Sequence, residues 1–113
     1  MNSIFLFWNI GKMLYKNQES TENIIQKYSS YYSYYYGNSF LFTRENLHYM
    51  KRFYISFPVY NSIYNNFSWK QYKLLLNISD NKERYFYFYC SILFHSNYED
   101  TYDLIQNDYY SRI

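Results

Sequence analysis

The segment between Thr43 and Pro58 constrains the fold most, because it carries a start signal, a stop signal and a periodic apolar face. Threonine is a favoured cap at helix N-termini, and a proline disfavours helical backbone in the residue before it. The apolar residues between the two recur at spacings of three and four, as on a helix with one buried side. They are Leu47, Met50, Tyr54 and Phe57, with Phe53 beside them. The segment is therefore predicted to be an amphipathic helix.

A second face of this helix is predicted to be basic. Arg44, His48 and Lys51 fall on it, with Arg52 at its margin. Such a face is more often solvated surface than a DNA contact, although lysine and arginine are the side chains that neutralise phosphates. The residue pattern alone leaves both interpretations open.

A helix is predicted at the start of the chain, beginning after Asn2 or Ser3 and running to about Asn17. Gly11 lies inside it. A glycine within a helix lowers its stability, so its presence indicates either that another helix packs close by or that the helix bends.

The next predicted helix begins with Thr21 as its N-cap and stops at Gly37 and Asn38, which both tolerate positive φ. Its apolar stripe is predicted from spacings of four, three and four. The stripe consists of Ile24, Tyr28, Tyr31 and Tyr35.

The second half of the chain is also predicted to be helical. Asn61 to Phe67 form a loop, after which Ser68 caps a short helix. The apolar stripe of that helix holds Trp69, Tyr72, Leu75 and Leu76. A last helix is predicted from about Asn97 to Tyr109.

Between these two helices, Asp80 and Glu83 stand at the spacing of a capping box, which predicts the start of another helix. Its apolar residues cover a wide arc, so it is predicted to be central to the core. They are the stripe Phe86, Cys90 and Leu93, widened by Tyr85, Tyr89 and Ile92.

These segments predict one all-α, or mainly α, domain that spans residues 1–113 as a compact helical bundle. A β-rich fold is the main rival, since the chain holds 19 tyrosines and 10 phenylalanines, which favour strands. Strict alternation of apolar and polar residues is rare, however, and favours helices instead. An AT-rich genome explains the aromatic bias; stacking of aromatic side chains on bases is the alternative.

Charge is unevenly distributed, although the formal net charge is only +2. Basic residues predominate between Arg44 and Arg84, whereas acids predominate from His95 onwards. The acids of this last segment are Glu99, Asp100, Asp103 and Asp108.

No catalytic, cofactor or metal site is predicted. His48, His95 and Cys90 do not stand at a metal-ligand spacing, and Cys90 lies on an apolar stripe, as a structural cysteine would. The glycines Gly11 and Gly37 cannot form a phosphate loop. The longest apolar run is shorter than the ~18 to 20 residues of a membrane span. With no secretory signal visible, the chain is predicted to be cytoplasmic, with no membrane contact.

Four residue strings resemble the N-terminal domain of the YhcG-like family, also called domain of unknown function 1016. The strings are Trp8-Asn9-Ile10-Gly11, Phe42 to Phe53 followed by Phe57-Pro58, Ser68 to Leu76, and Arg84-Tyr85-Phe86-Tyr87. Their order and spacing also agree with the family, over roughly residues 8 to 94. Gln71 stands where the family often has histidine, and the acidic last segment departs from the family pattern.

The resemblance implies a helix-turn-helix or winged-helix-like DNA-binding module of a kind that precedes a PD-(D/E)XK nuclease domain. No such nuclease constellation occurs in the sequence, so the chain is expected to be non-catalytic. Double-stranded DNA is the expected partner. The residues expected to contact it are Arg44, His48, Lys51, Arg52, Lys70 and Lys73.

Two alternatives remain open at this point. The chain is a protein-interaction module, whose acidic tail and tyrosine-rich helix dock a separately encoded nuclease or a second copy, or it is a non-functional remnant of a truncated gene.

Overall fold

Every regular element in the structure, a computed structural model that describes residues 3–17, 21–37 and 41–112, is helical. The helices are α1 (Ser3–Lys16), α2 (Thr21–Tyr36), α3 (Arg44–Ser56), α4 (Trp69–Leu76), α5 (Asn81–Leu93) and α6 (Tyr98–Gln106). Short 3-10 helices span Ser62–Asn66 and Tyr109–Arg112. The predicted all-α fold class is confirmed, whereas the winged-helix-like arrangement stays a prediction.

Contacts between Cα atoms divide the chain into two compact units, Met1–Tyr60 and Asn61–Ile113. The first unit contains α1 to α3 and the second contains α4 to α6. The single-domain organisation stays a prediction.

Side-chain caps set the starts of the later helices where the sequence predicted them. The Thr43 hydroxyl accepts a hydrogen bond from Asn46 N at 3.2 Å. Ser68 and Gln71 form a reciprocal capping box at the start of α4. Asp80 accepts from Glu83 N at 2.9 Å. These bonds satisfy backbone N–H groups that have no partner within the helix.

Two predicted boundaries shift. The predicted loop at residues 61–67 contains the 3-10 helix Ser62–Asn66, which Asn61 caps. The last helix ends at Gln106 rather than Tyr109, and Asp108 then adopts a φ of 52°. The predicted cap at the Thr21 side chain and the predicted stop at Asn38 lie outside the described residues.

The core of the first unit forms where α1 crosses α3. A Cβ atom at Gly11 would overlap the backbone carbonyl of Met50, so close packing of another helix is the one of the two predicted alternatives that the structure shows. Trp8 Nε1 donates to the carbonyl of Phe57 at 2.8 Å, which ties α1 to the C-terminal end of α3. The predicted apolar face of α3 is also confirmed, with Tyr54 only half-buried. Its fully buried members are Leu47, Met50, Phe53 and Phe57.

The buried face of α2 differs from the predicted stripe. Ile24, Ile25 and Tyr32 are buried, whereas Tyr31 and Tyr35 are 51% and 64% exposed. The ring of Tyr32 stacks on that of Phe42, with 5.5 Å between centroids. Tyrosines occupy neighbouring stripes of this helix, and their periodicity does not distinguish one from the other. Packing of Tyr32 against Phe42 determines which stripe is buried.

The predicted stripe of α5 is wrong as well. Leu93 and Tyr89 are 72% and 57% exposed, and Phe86 and Cys90 are half-buried. The buried side holds Arg84, Tyr87, Phe88 and Ser91 instead. An arginine is buried here because its guanidinium group donates to the carbonyls of Ile78 and Ser79 and to the Asn81 side chain, at 2.6 to 3.3 Å.

A buried polar cluster joins the three helices of the second unit. Gln71 Nε2 donates to the carbonyl of Ser96 at 2.9 Å and lies 3.3 Å from Thr101 Oγ1. Thr101 Oγ1 in turn lies 3.0 Å from Ser91 Oγ. One residue from each of α4, α5 and α6 therefore shares a single hydrogen-bonded network.

Candidate nucleic-acid interface

The outward side of α3 presents the basic residues that the sequence placed there. With the apolar side buried, Arg44 and Arg52 are exposed, and His48 and Lys51 are half-buried. His48, Lys51 and Arg52 follow Arg44 by four, seven and eight residues. These spacings place all four side chains on one side of a helix. The structure thus brings these residues together on one helix.

An acidic residue of α2 reaches this basic face. The Glu22 carboxylate forms an ion pair with the Arg44 guanidinium through Oε2, and Oε1 lies 3.3 Å from His48 Nε2. The side chains of Arg44 and Glu22 are 68% and 52% exposed, so solvent screens the pair. Glu22 was not predicted from the sequence, because no local pattern identifies it and the contact depends on how α2 packs against α3.

Arg52 is held differently. Its guanidinium carbon lies 4.5 Å from the ring centroid of Tyr49, one turn earlier on α3. Such a cation–π contact orients the guanidinium group without neutralising its charge. Arg52 therefore remains a full positive charge on the exposed helix side.

The remaining predicted DNA-contacting residues belong to the second unit. Lys70 is exposed and Lys73 is half-buried, both on α4. Residues of the opposite side of this helix are buried, including Gln71, Tyr72 and Leu75.

A polar cleft of about 350 Å³ adjoins the start of α3. It is lined by Glu22, Gln26, Ser29, Ser30 and Arg44. Ser29 Oγ donates to the Phe42 carbonyl at 2.5 Å. The cleft carries hydrogen-bonding groups but no nucleophile paired with a base.

The described residues contain neither a metal-binding cluster nor an activated thiol. Within them, no group of three or more histidine, cysteine or acidic side chains is placed to hold a metal ion. Burial raises the pKa of the Cys90 thiol, so it is protonated at neutral pH. No helix in residues 3–17, 21–37 or 41–112 has the length and apolar character of a membrane span.

Most residues of the four sequence motifs maintain the fold. Trp8 and Gly11 join α1 to α3, Thr43 and Ser68 cap helices, and Arg84 bonds the turn before α5. Arg44 and Lys51 are motif residues on the outward side of α3. The motifs therefore consist mainly of residues that stabilise the fold, rather than of residues that would bind a ligand.

These features define an all-helical domain with a basic surface helix. The chain belongs to the family of the DUF1016 N-terminal domain, whose family model matches residues 1–112. The resemblance drawn from the motifs is thereby confirmed. No curated protein and no solved structure matched the chain.

Proposed function

We propose that this domain is a non-catalytic module that binds double-stranded DNA through the basic face of α3. The observation that carries the proposal is the placement of Arg44, His48, Lys51 and Arg52 on one accessible side of a helix whose other side is buried. The motif resemblance that implied DNA contact is to the same family, the DUF1016 N-terminal domain, that the family model matches. The cytoplasmic location stays a prediction alongside it.

Binding of this kind is driven by neutralised phosphates. Each phosphate contact releases condensed counterions and contributes a slope of about 0.9 to the dependence of log K on log salt. Four to six contacts by a single module correspond to a Kd on the order of 10⁻⁴ to 10⁻⁶ M at physiological salt. Lys70 and Lys73 would add phosphate contacts from the second unit.

The start of α3 is the end suited to reading base edges. Recognition helices contact bases with their N-terminal residues, and an arginine donates two hydrogen bonds to the O6 and N7 atoms of guanine. Arg44 occupies this position. Base reading is therefore assigned to Arg44 rather than to the residues further along the helix, and it requires the Arg44 guanidinium to be released from Glu22.

A salt titration of duplex binding tests the proposal. Fluorescence anisotropy of a labelled duplex is measured from low to physiological salt for the natural chain and for Lys51→Ala. We expect affinity to fall steeply with salt and the slope to decrease by about one in the variant. Binding that is insensitive to salt would contradict the proposal.

A second candidate function is protein interaction, which the exposed tyrosines of α2 favour. Tyr31, Tyr34 and Tyr35 are 51%, 82% and 64% exposed. Aromatic residues are enriched at protein interfaces, and exposed apolar patches mark them. The partner would be a separately encoded nuclease or a second copy of the chain. Sedimentation velocity distinguishes the second case, since a sharp monomer at high concentration would exclude self-association.

A further inference from the structure

The Glu22 carboxylate contacts only one end of the basic face of α3. At the start of the helix, one carboxylate contacts both Arg44 and His48. At the other end, Arg52 is oriented by the uncharged ring of Tyr49. Arg44 and Arg52 therefore differ in the charge that their surroundings leave available to a phosphate.

Phosphate and Glu22 compete for the same guanidinium group. A phosphate that approaches Arg44 must displace the carboxylate or accept its repulsion at close range. An exposed ion pair is weak, and its coupling corresponds to a factor of about five or less in an equilibrium constant. The pair is thus strong enough to reduce DNA affinity by a small factor, but too weak to prevent DNA binding by the rest of the helix.

We infer that Glu22 is an affinity-limiting residue of the DNA interface, which holds Arg44 away from the phosphate backbone. This inference rests on the proposed function. It assigns the stronger phosphate contact in the natural chain to Arg52 rather than to Arg44. Arg44 contributes a full contact only once Glu22 is removed.

The experiment compares two variants with the same change in charge. Glu22→Gln removes the carboxylate that pairs with Arg44, and Glu45→Gln removes an exposed carboxylate in the first turn of α3. In duplex titrations over a range of salt, we expect Glu22→Gln to raise affinity about two- to fivefold at low salt. Its salt slope should steepen by about 0.9, because one phosphate contact is gained. Glu45→Gln should give the smaller change that net charge alone produces.

A double-mutant cycle separates pairing from long-range electrostatics. If Glu22 acts through Arg44, the gain from Glu22→Gln should largely disappear in an Arg44→Gln background. Arg44→Gln alone should weaken binding less than twofold, since this guanidinium is already paired with Glu22. Circular dichroism checks that the variants, all at exposed positions, remain helical.

The outcomes distinguish the two proposals. If the natural chain binds the duplex and Glu22→Gln behaves like Glu45→Gln, or if its gain persists without Arg44, the role of Glu22 is overturned while DNA binding stands. If neither the natural chain nor any variant binds the duplex at low salt, the proposed function and this inference are both overturned.

Discussion

At Gly11 the backbones of α1 and α3 approach so closely that the side chain can be no larger than hydrogen. A Cβ atom there would overlap the Met50 carbonyl, which is backbone and cannot rotate away. The conformational freedom of glycine is not what the position requires, since Gly11 lies inside a regular helix. The requirement is steric.

Replacement of Gly11 by alanine therefore tests the packing of α1 on α3. Alanine is favoured over glycine in a helix by about 1 kcal/mol. If α1 and α3 packed loosely at this position, the replacement would therefore raise stability. We predict instead that Gly11→Ala lowers the free energy of unfolding by about 1 to 3 kcal/mol, through overpacking. Urea denaturation measures it. Lys16→Ala, at an exposed position of the same helix, should change stability by less than about 0.5 kcal/mol.

Among the helices, the polar cluster of Gln71, Ser91 and Thr101 fixes how α4, α5 and α6 pack within the second unit. All three side chains are buried, and Thr101 Oγ1 lies between the other two. Buried hydrogen bonds of this kind favour one packing of the helices over others. An alternative packing would leave a buried polar atom unpaired, which costs free energy.

Thr101→Val removes the hydroxyl while preserving the shape of the side chain. The Ser91 hydroxyl then loses its partner, and we predict a loss of about 1 to 3 kcal/mol in the free energy of unfolding. Thr101→Ser retains the hydroxyl and should lose less. A larger loss for Thr101→Ser than for Thr101→Val in thermal or urea unfolding would indicate that packing of the methyl group, rather than hydrogen bonding, dominates at this position.

The helices could be located from the sequence because their starts depend on local chemistry. Thr43, Ser68 and Asp80 cap backbone groups a few residues away, and that relation is visible in the chain. Which side of a helix is buried depends on its neighbours. On α3, apolar and basic residues occupy different sides, so the buried side was predictable.

On α5 the same reasoning failed. This helix is aromatic on most sides, so periodicity does not select a face. Arg84 is buried by carbonyls of the preceding turn, whose positions depend on the folded backbone. Leu93, the residue most easily assigned to a core, is 72% exposed. Amphipathic tyrosines tolerate either environment, which explains the error on α2 as well.

At the scale of the whole molecule, the first unit carries a basic side on α3, and the second unit carries the acidic helix α6. The sequence revealed both, since each consists of neighbouring residues along the chain. It did not reveal that Glu22 pairs with Arg44 and His48, because 22 positions separate it from Arg44. The members of the candidate interface were thus predictable, whereas the charge available at each member was not.

The most direct test of DNA binding by α3 is amide chemical-shift mapping by NMR as a short DNA duplex is added to the labelled chain. We expect the largest shifts to fall on residues 44 to 52 and to be reversed by added salt. Smaller shifts are expected at Lys70 and Lys73. Shifts confined to the tyrosines of α2 or to α6, or no shifts at low salt, would contradict DNA binding by α3.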